Sequence, residues 1–188
     1  MVWGRISVTP GFWLLMAWLY YSDQGRLAVL ALLASGVHEL AHCVCLRLFG
    51  AEVKQVRITA VGAEMTVSGR LNYFGEFVTA AAGPLSNILM ARLAVHLEGE
   101  RSYLFAGVNL TLAIFNLLPV SGLDGGRCLG CLGEWVLGPR AAYRLCRVSD
   151  FLVVAIALVA GSTAFFCGKN MTAMVVVVWL CCHIFVKS

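Results

Sequence analysis

Long apolar runs broken by short polar stretches make up most of this chain. The runs are Ile6–Tyr21, Leu27–Phe49, Tyr73–Leu97, Tyr103–Leu118, Phe151–Cys167 and Met171–Val186. Crossing a bilayer takes about 20 predominantly apolar residues in helical form. The pattern therefore predicts a polytopic α-helical membrane protein with about six transmembrane helices. The breaks carry turn chemistry. Ser22-Asp23-Gln24-Gly25-Arg26 is a tight polar turn, Gly50 suits a helix C-cap, and Pro10-Gly11 implies an extended lead into the first helix. Gly168-Lys169-Asn170 joins the last two runs into a hairpin.

Between Ala51 and Gly69 the period changes. Val53, Val56, Ile58, Val61, Met65 and Val67 alternate loosely with polar residues around Gly62. This predicts two short β-strands, a hairpin at the membrane surface after the second helix. Such strands belong at the interface or in a protein-lined cleft, because an open sheet edge cannot face lipid. Arg127–Ser149, with Trp135, Arg140, Tyr143, Arg144 and Arg147, reads as an interfacial amphipathic segment.

Composition agrees with a membrane protein. The chain has 188 residues, 60% hydrophobic and only 13% charged, with a mean hydropathy of +0.84; soluble domains carry roughly 25% charged residues. The net charge of +4 resides in loops flanking the apolar runs, so it speaks for a cytoplasm-facing surface and against nucleic acid as a partner. The eight cysteines do not form a disulfide pattern. Most lie in or beside apolar helices, and Cys128-Leu-Gly-Cys131 is a lone CxxC without a second pair. With six spans, ten of the 14 basic residues fall on one side, among them Arg47, Arg57, Arg127, Arg140, Arg144 and Arg147. That side is then cytoplasmic, together with both termini.

The chemistry is concentrated in the second run, which contains His38-Glu39-Leu40-Ala41-His42. Two histidines four apart share one helical face and can hold one metal ion, while Glu39 projects about 100° round the axis, within reach of water. These side chains are costly in hydrocarbon and mark a functional site there. A catalytic zinc keeps three protein ligands and one open position. Of the ten acids, Glu39 and Asp124 stand out by lying in apolar or cavity-lining stretches, with Glu76 at the border of the third run. Glu39 suits the general base, which leaves Asp124 as third ligand. Asp124 follows Pro119-Val120-Ser121-Gly122-Leu123 and precedes Gly125-Gly126, a sharply turned backbone tolerated at membrane depth only where it lines a cavity. The expected chemistry is amide hydrolysis assisted by one Zn2+ ion, with Glu39 taking the proton from water. Asn87, mid-span, serves either as an interhelical hydrogen bond or as a substrate or oxyanion contact; Asn116 is a second candidate for the latter.

With these residues in place, the chain resembles the site-2 protease family of intramembrane zinc metalloproteases, peptidase family M50. The resemblance rests on His38-Glu39-Leu40-Ala41-His42, on Ala82-Gly83-Pro84-Leu85-Ser86-Asn87, and on Asn116-Leu117-Leu118-Pro119 through Leu123-Asp124-Gly125-Gly126. It covers about Ile6 to Arg127 and implies zinc held by His38, His42 and Asp124, with Glu39 as base. One departure is Gly122, where many members have proline, which implies a looser loop. The layout is most similar to the sporulation branch, related to the stage IV protein FB. It implies one membrane-embedded domain over 1–188, with a catalytic core at about 27–127, an accessory helical hairpin at about 148–188, and neither a PDZ nor a CBS domain. The implied substrate is a membrane-anchored protein, a pro-sigma factor or other regulator, cut in or near its transmembrane segment. The implied setting is a bacterial cell membrane, with the site toward the cytoplasm and membrane regulatory proteins as further partners. The alternatives are an inactive relative acting as a membrane binding partner, or a metal transporter.

Overall fold

In the computed structural model, residues 5–23, 26–59 and 62–168 are described. The elements in chain order are β1 (Arg5–Val8), α1 (Pro10–Asp23), α2 (Arg26–Leu48), β2 (Glu52–Thr59), β3 (Gly62–Ser68), α3 (Tyr73–Val95), α4 (Glu100–Asn116), α5 (Asp124–Leu137) and α6 (Pro139–Gly168). The chain divides into two compact units, Met1–Phe115 and Asn116–Ser188.

In the first unit α2 packs along α3. The residues that α2 buries are Ala28, Ala34, His38, His42 and Leu46, and the last four repeat every fourth position. A helix places such residues on one stripe. The opposite face, with Val29, Leu33, Leu40, Val44 and Leu48, is apolar and exposed. In water that face would be a liability, whereas in a bilayer it is the lipid surface. The buried stripe of α3 is made of small residues, including Gly75, Ala80, Gly83, Ala91 and Ala94. Such residues let helix backbones approach closely where no hydrophobic force drives helices together.

The helix ends follow local chemistry. Gly50, at φ +79, closes α2 with its N–H on Arg47 O at 3.0 Å and the Ala51 N–H on Leu46 O at 2.9 Å. This is the Schellman pairing, which needs the left-handed conformation that glycine adopts without strain. Asn72 caps α3, its Oδ1 accepting from the Gly75 N–H at 2.7 Å.

The expected hairpin is present, and it is part of a larger sheet. Strand β2 pairs antiparallel with β3 and parallel with β1, giving the order β1-β2-β3. The first apolar run is Ile6–Tyr21. Within that run the extended lead expected before the helix is present: Ile6 to Val8 pair with Val56 to Ile58, and the helix itself, from Pro10, has 14 residues.

Three described helices, Arg26–Leu48, Tyr73–Val95 and the Pro139–Thr163 part of α6, are long and apolar enough to cross a membrane. That is fewer than the six spans expected. α1 has 14 residues and α4 has 17, and at about 1.5 Å per residue both fall short of the roughly 30 Å hydrocarbon core. The sixth apolar run, Met171–Val186, lies outside the described residues.

In the second unit α5 packs on α6 through Gly133, against which Ala142 sits in close contact. The segment read from sequence as one interfacial stretch divides at Gly138, φ +81, into α5 and the start of α6. Pro139 opens α6, a position where its missing N–H costs nothing. The described cysteines Cys43, Cys45, Cys128, Cys131 and Cys146 are thiols.

The α3 cap gives a direct check. Asn72→Ala should lower resistance to unfolding in mixed micelles by about 1 kcal/mol, the usual loss for such a cap, without altering metal binding.

Candidate metal centre

His38 and His42 lie on consecutive turns of α2, both buried, with their Nε2 atoms 3.1 Å apart. What surrounds their other nitrogens fixes the protonation of each ring. The Nδ1 of His42 lies 2.7 Å from the Thr79 carbonyl oxygen, which can only accept, so this nitrogen carries the proton. The Nδ1 of His38 lies 2.6 Å from Asn87 Oδ1. The orientation of that amide is set in turn, because Asn87 Nδ2 donates to Ala34 O at 3.1 Å and to Asn109 Oδ1 at 2.8 Å. Asn109 Nδ2 donates to Phe105 O at 2.9 Å. A chain of donors therefore runs from a backbone carbonyl of α4 through α3 to His38, with a single consistent polarity.

The consequence is electrostatic. With both Nδ1 atoms engaged by acceptors, the two Nε2 atoms are left facing each other, where one cation would be held by both. Two imidazole nitrogens on one tetrahedral zinc, each at 2.0–2.1 Å, lie roughly 3.3 Å apart, close to the spacing found. The donor set thus fits a zinc ion, and its hydrogen-bonded backing is of the kind that orients metal-bound histidines.

Gly83 of α3 faces this pair. A Cβ at that position would overlap His42 Nε2 and come within 2.6 Å of His38 Nε2. Glycine is required there to make room for the imidazoles. Its place in a small-residue helix stretch was legible in the sequence, but this reason for it was not.

Glu39 lies between the two histidines in sequence and on a different side of α2. It is half-buried, and its Oε1 accepts the Ala63 N–H of β3 at 3.2 Å. The carboxylate therefore faces the start of the third strand, which α2 also meets through Cys43 Sγ, 3.6 Å from Met65 Sδ.

Asn87 is fully buried and both of its amide protons are engaged, on Ala34 and Asn109. Of the two roles open to it in the sequence, this is the interhelical bond; no amide proton is left for an oxyanion. Asn116 is the last residue of α4 and is half-buried. Asn109 is the residue that sequence reasoning missed. A lone asparagine in an apolar run, placed for interhelical bonding, was the available signal. An apolar cleft of about 720 Å³ lined by Leu27, Ala31, Tyr103, Leu104 and Leu112 also opens between α2 and α4, and the histidines do not line it.

In the second unit Asp124 is buried and is the first residue of α5. A carboxylate there is favoured by the helix dipole and the unpaired N–H groups of the first turn. Arg127 Nη1 lies 3.7 Å away, one turn on. Gly125 and Gly126 allow the preceding loop to fold back, since a Cβ on either would overlap the Leu117 or Val120 carbonyl. Burial raises the pKa of the Cys128 thiol, and the charge of Asp124 adds to this while Arg127 opposes it. A thiol held protonated in this way is a poor nucleophile and a poor metal ligand.

Helices apolar enough to span a bilayer, with a buried imidazole pair that fits a metal ion, define a class of membrane protein with a candidate metal centre. Comparison with known proteins narrows it. Residues 12–123 match the peptidase M50B-like family, and the chain belongs to that family. It is 30% identical to zinc metalloprotease Rip3 of Mycobacterium tuberculosis, over 83% of this chain and 44% of that protein. It is 29% identical to stage IV sporulation protein FB of Bacillus subtilis, over 75% of this chain and 52% of that one. The chain thus spans about half the length of these curated relatives. Its fold is that of the site-2 protease from Methanocaldococcus jannaschii, with a TM-score of 0.71 at 19% identity, covering 96% of this chain and 89% of that one.

Three substitutions test the imidazole pair. Gly83→Ala should displace the rings and lower zinc affinity about 10–100-fold, read by chelator competition on the purified protein. Asn87→Leu should do the same by releasing His38 Nδ1, whereas Asn109→Leu, one bond further away, should cost less.

Proposed function

We propose that this protein is an intramembrane zinc endopeptidase that hydrolyses a peptide bond in or near the transmembrane segment of a membrane-anchored protein. The observation that carries the reading is the facing pair of Nε2 atoms 3.1 Å apart, with Glu39 on the same helix and a buried Asp124 in the second unit. In this reading His38, His42 and Asp124 hold one Zn2+ ion. When bound, that ion supplies Lewis acidity, lowering the pKa of water and polarising the scissile carbonyl.

The chain's own groups do the rest. Glu39 accepts the proton from the attacking water and delivers it to the leaving nitrogen. The N–H of Ala63 steadies the carboxylate between these two duties, and the pairing is weak enough at 3.2 Å to yield to water. Asn87 orients His38 and takes no part in bond making. Asn116 is retained as a candidate substrate contact.

A helical substrate hides its amides in its own hydrogen bonds and must unwind before cleavage. The edge strand β3, whose first residues meet Glu39, is a suitable template for the unwound segment through backbone pairing. Counted over a six-span layout, ten of the 14 basic residues fall on one side, which supports both termini and the site facing the cytoplasm. A pro-sigma factor or another membrane-tethered regulator is the kind of substrate this arrangement serves.

The deciding experiment is co-expression with a single-span substrate fused to a reporter. Glu39→Gln should reduce cleavage by about 10²–10⁴-fold with zinc content unchanged, and Asp124→Asn should abolish cleavage and zinc together. Wild-type cleavage by both variants would refute the mechanism. Met65→Pro should impair cleavage of the same substrate while zinc stays bound; full turnover in that variant would remove β3 from the substrate path.

A further inference from the structure

The loop before Asp124 is tethered from α6. Its backbone makes two tight turns. The Val120 N–H bonds to Leu118 O at 2.8 Å, and the Leu123 N–H bonds to Val120 O at 3.0 Å. In the second turn Gly122 stands at the third position with φ +96. This is type II geometry, which requires a residue free to adopt positive φ. Proline cannot take that conformation. The chain thus reaches Asp124 by a flexible residue, and something else must hold the turn.

Asp150 meets that need. It is 4% exposed, and both of its oxygens are directed at one residue of the turn. Oδ1 accepts the Ser121 N–H at 2.7 Å and Oδ2 accepts the Ser121 hydroxyl at 2.8 Å. The neighbouring Ser149 hydroxyl donates to Pro119 O at 2.5 Å. Three hydrogen bonds from one turn of α6 therefore grip Pro119 and Ser121, and those to a buried carboxylate are of the stronger, charge-assisted kind. Val120, between them, is fully buried. The grip is transmitted to Asp124 because the loop lies directly on the start of α5. The position of Gly126 is set against the Val120 carbonyl and the Ser121 N, with no room for even a methyl group.

We propose that Asp150 is a positioning residue for the metal centre: its carboxylate fixes the Val120–Leu123 turn and thereby the place and direction of Asp124. The inference rests on the reading of Asp124 as a zinc ligand. In sequence Asp150 is merely an acid beside an apolar run. Its role is geometric, since what Ser121 requires is an acceptor for its N–H and a hydrogen-bonding partner for its hydroxyl at a fixed point on α6.

The test uses the full chain, purified in nanodiscs, with zinc affinity measured by chelator competition and the visible spectrum of the cobalt-substituted protein as a report on ligand geometry. Asp124→Ala should lower zinc affinity at least as far as any other variant and change the cobalt bands. Asp150→Ala should lower affinity about 10–100-fold and shift the cobalt spectrum toward that of Asp124→Ala. Asp150→Asn keeps an acceptor for the Ser121 N–H and offers a donor to its hydroxyl oxygen. It should stay within about threefold of wild type, with the wild-type spectrum, a recovery that loss of a buried charge alone would not allow. Wild-type affinity and spectrum in Asp150→Ala, with both lost in Asp124→Ala, would overturn this inference and leave the metal centre standing. An Asp150→Asn variant as impaired as Asp150→Ala would also overturn it. Unchanged zinc binding in Asp124→Ala would instead overturn the reading beneath it. Should Asp150→Ala fail to fold, Ser121→Ala decides: an intermediate affinity with a shifted spectrum supports the tether, and wild-type behaviour refutes it.

Discussion

The hydrogen bond between His38 and Asn87 is the interaction on which the first unit depends. A polar side chain among apolar helices has no water to fall back on, and each unsatisfied donor or acceptor costs about 1–3 kcal/mol. Asn87 meets this constraint with all of its amide valences: one oxygen to His38 and two protons to α2 and α4. The network ties three helices at one level, where lipid would otherwise leave helix association to van der Waals contact. It also sets the tautomer of the imidazole. A single side chain therefore does structural and chemical duty at once, and the fold is held most firmly where the chemistry is placed.

Close approach is the second condition. The bond from Asn87 to Ala34 O requires α3 to lie directly against α2, and the run of glycine and alanine along the buried face of α3 permits it. At Gly83 the same smallness serves the imidazoles. The outer faces carry leucine and valine, so the sequence is polar or small inside and bulky outside, the reverse of a soluble core. This inversion is why hydropathy located α2 and α3 well, whereas the choice of buried residues followed from size and polarity.

What was legible in the sequence was local. The four-residue spacing of His38 and His42, the C-cap at Gly50 and the loose alternation over Val53–Val67 each describe neighbours along the chain, and each appears where the pattern put it. What was not legible depended on partners far away. Strand β1 is four residues long and exists through parallel pairing with β2, some 50 positions on, so the sequence showed an extended lead there but not its partner. Asn109 and Asp150 are ordinary polar residues until their partners are known. Among the described residues, which hold five of the six apolar runs, three helices are of spanning length, because apolarity alone sets neither where a helix starts nor how long it runs. Gly122 was read as loosening its loop, and the hydrogen bonds that compensate for it come from α6.

The placement of Glu39 carries the last step. A general base must reach water beside the metal without becoming a ligand itself. One residue along a helix rotates by about 100°, so a carboxylate next to His38 is carried off the ligand face while remaining within one side-chain length of it. Left alone, such a carboxylate in an apolar setting would be driven to bind the cation or take up a proton. The Ala63 N–H gives it a third option, a neutral partner that stabilises the charge and draws it toward β3. In the proposed role, the base is thereby drawn away from the histidines by a strand that pairs through its backbone. Because a backbone N–H is indifferent to side-chain identity, the third strand can vary in sequence and still hold the base, provided its register on β2 is kept.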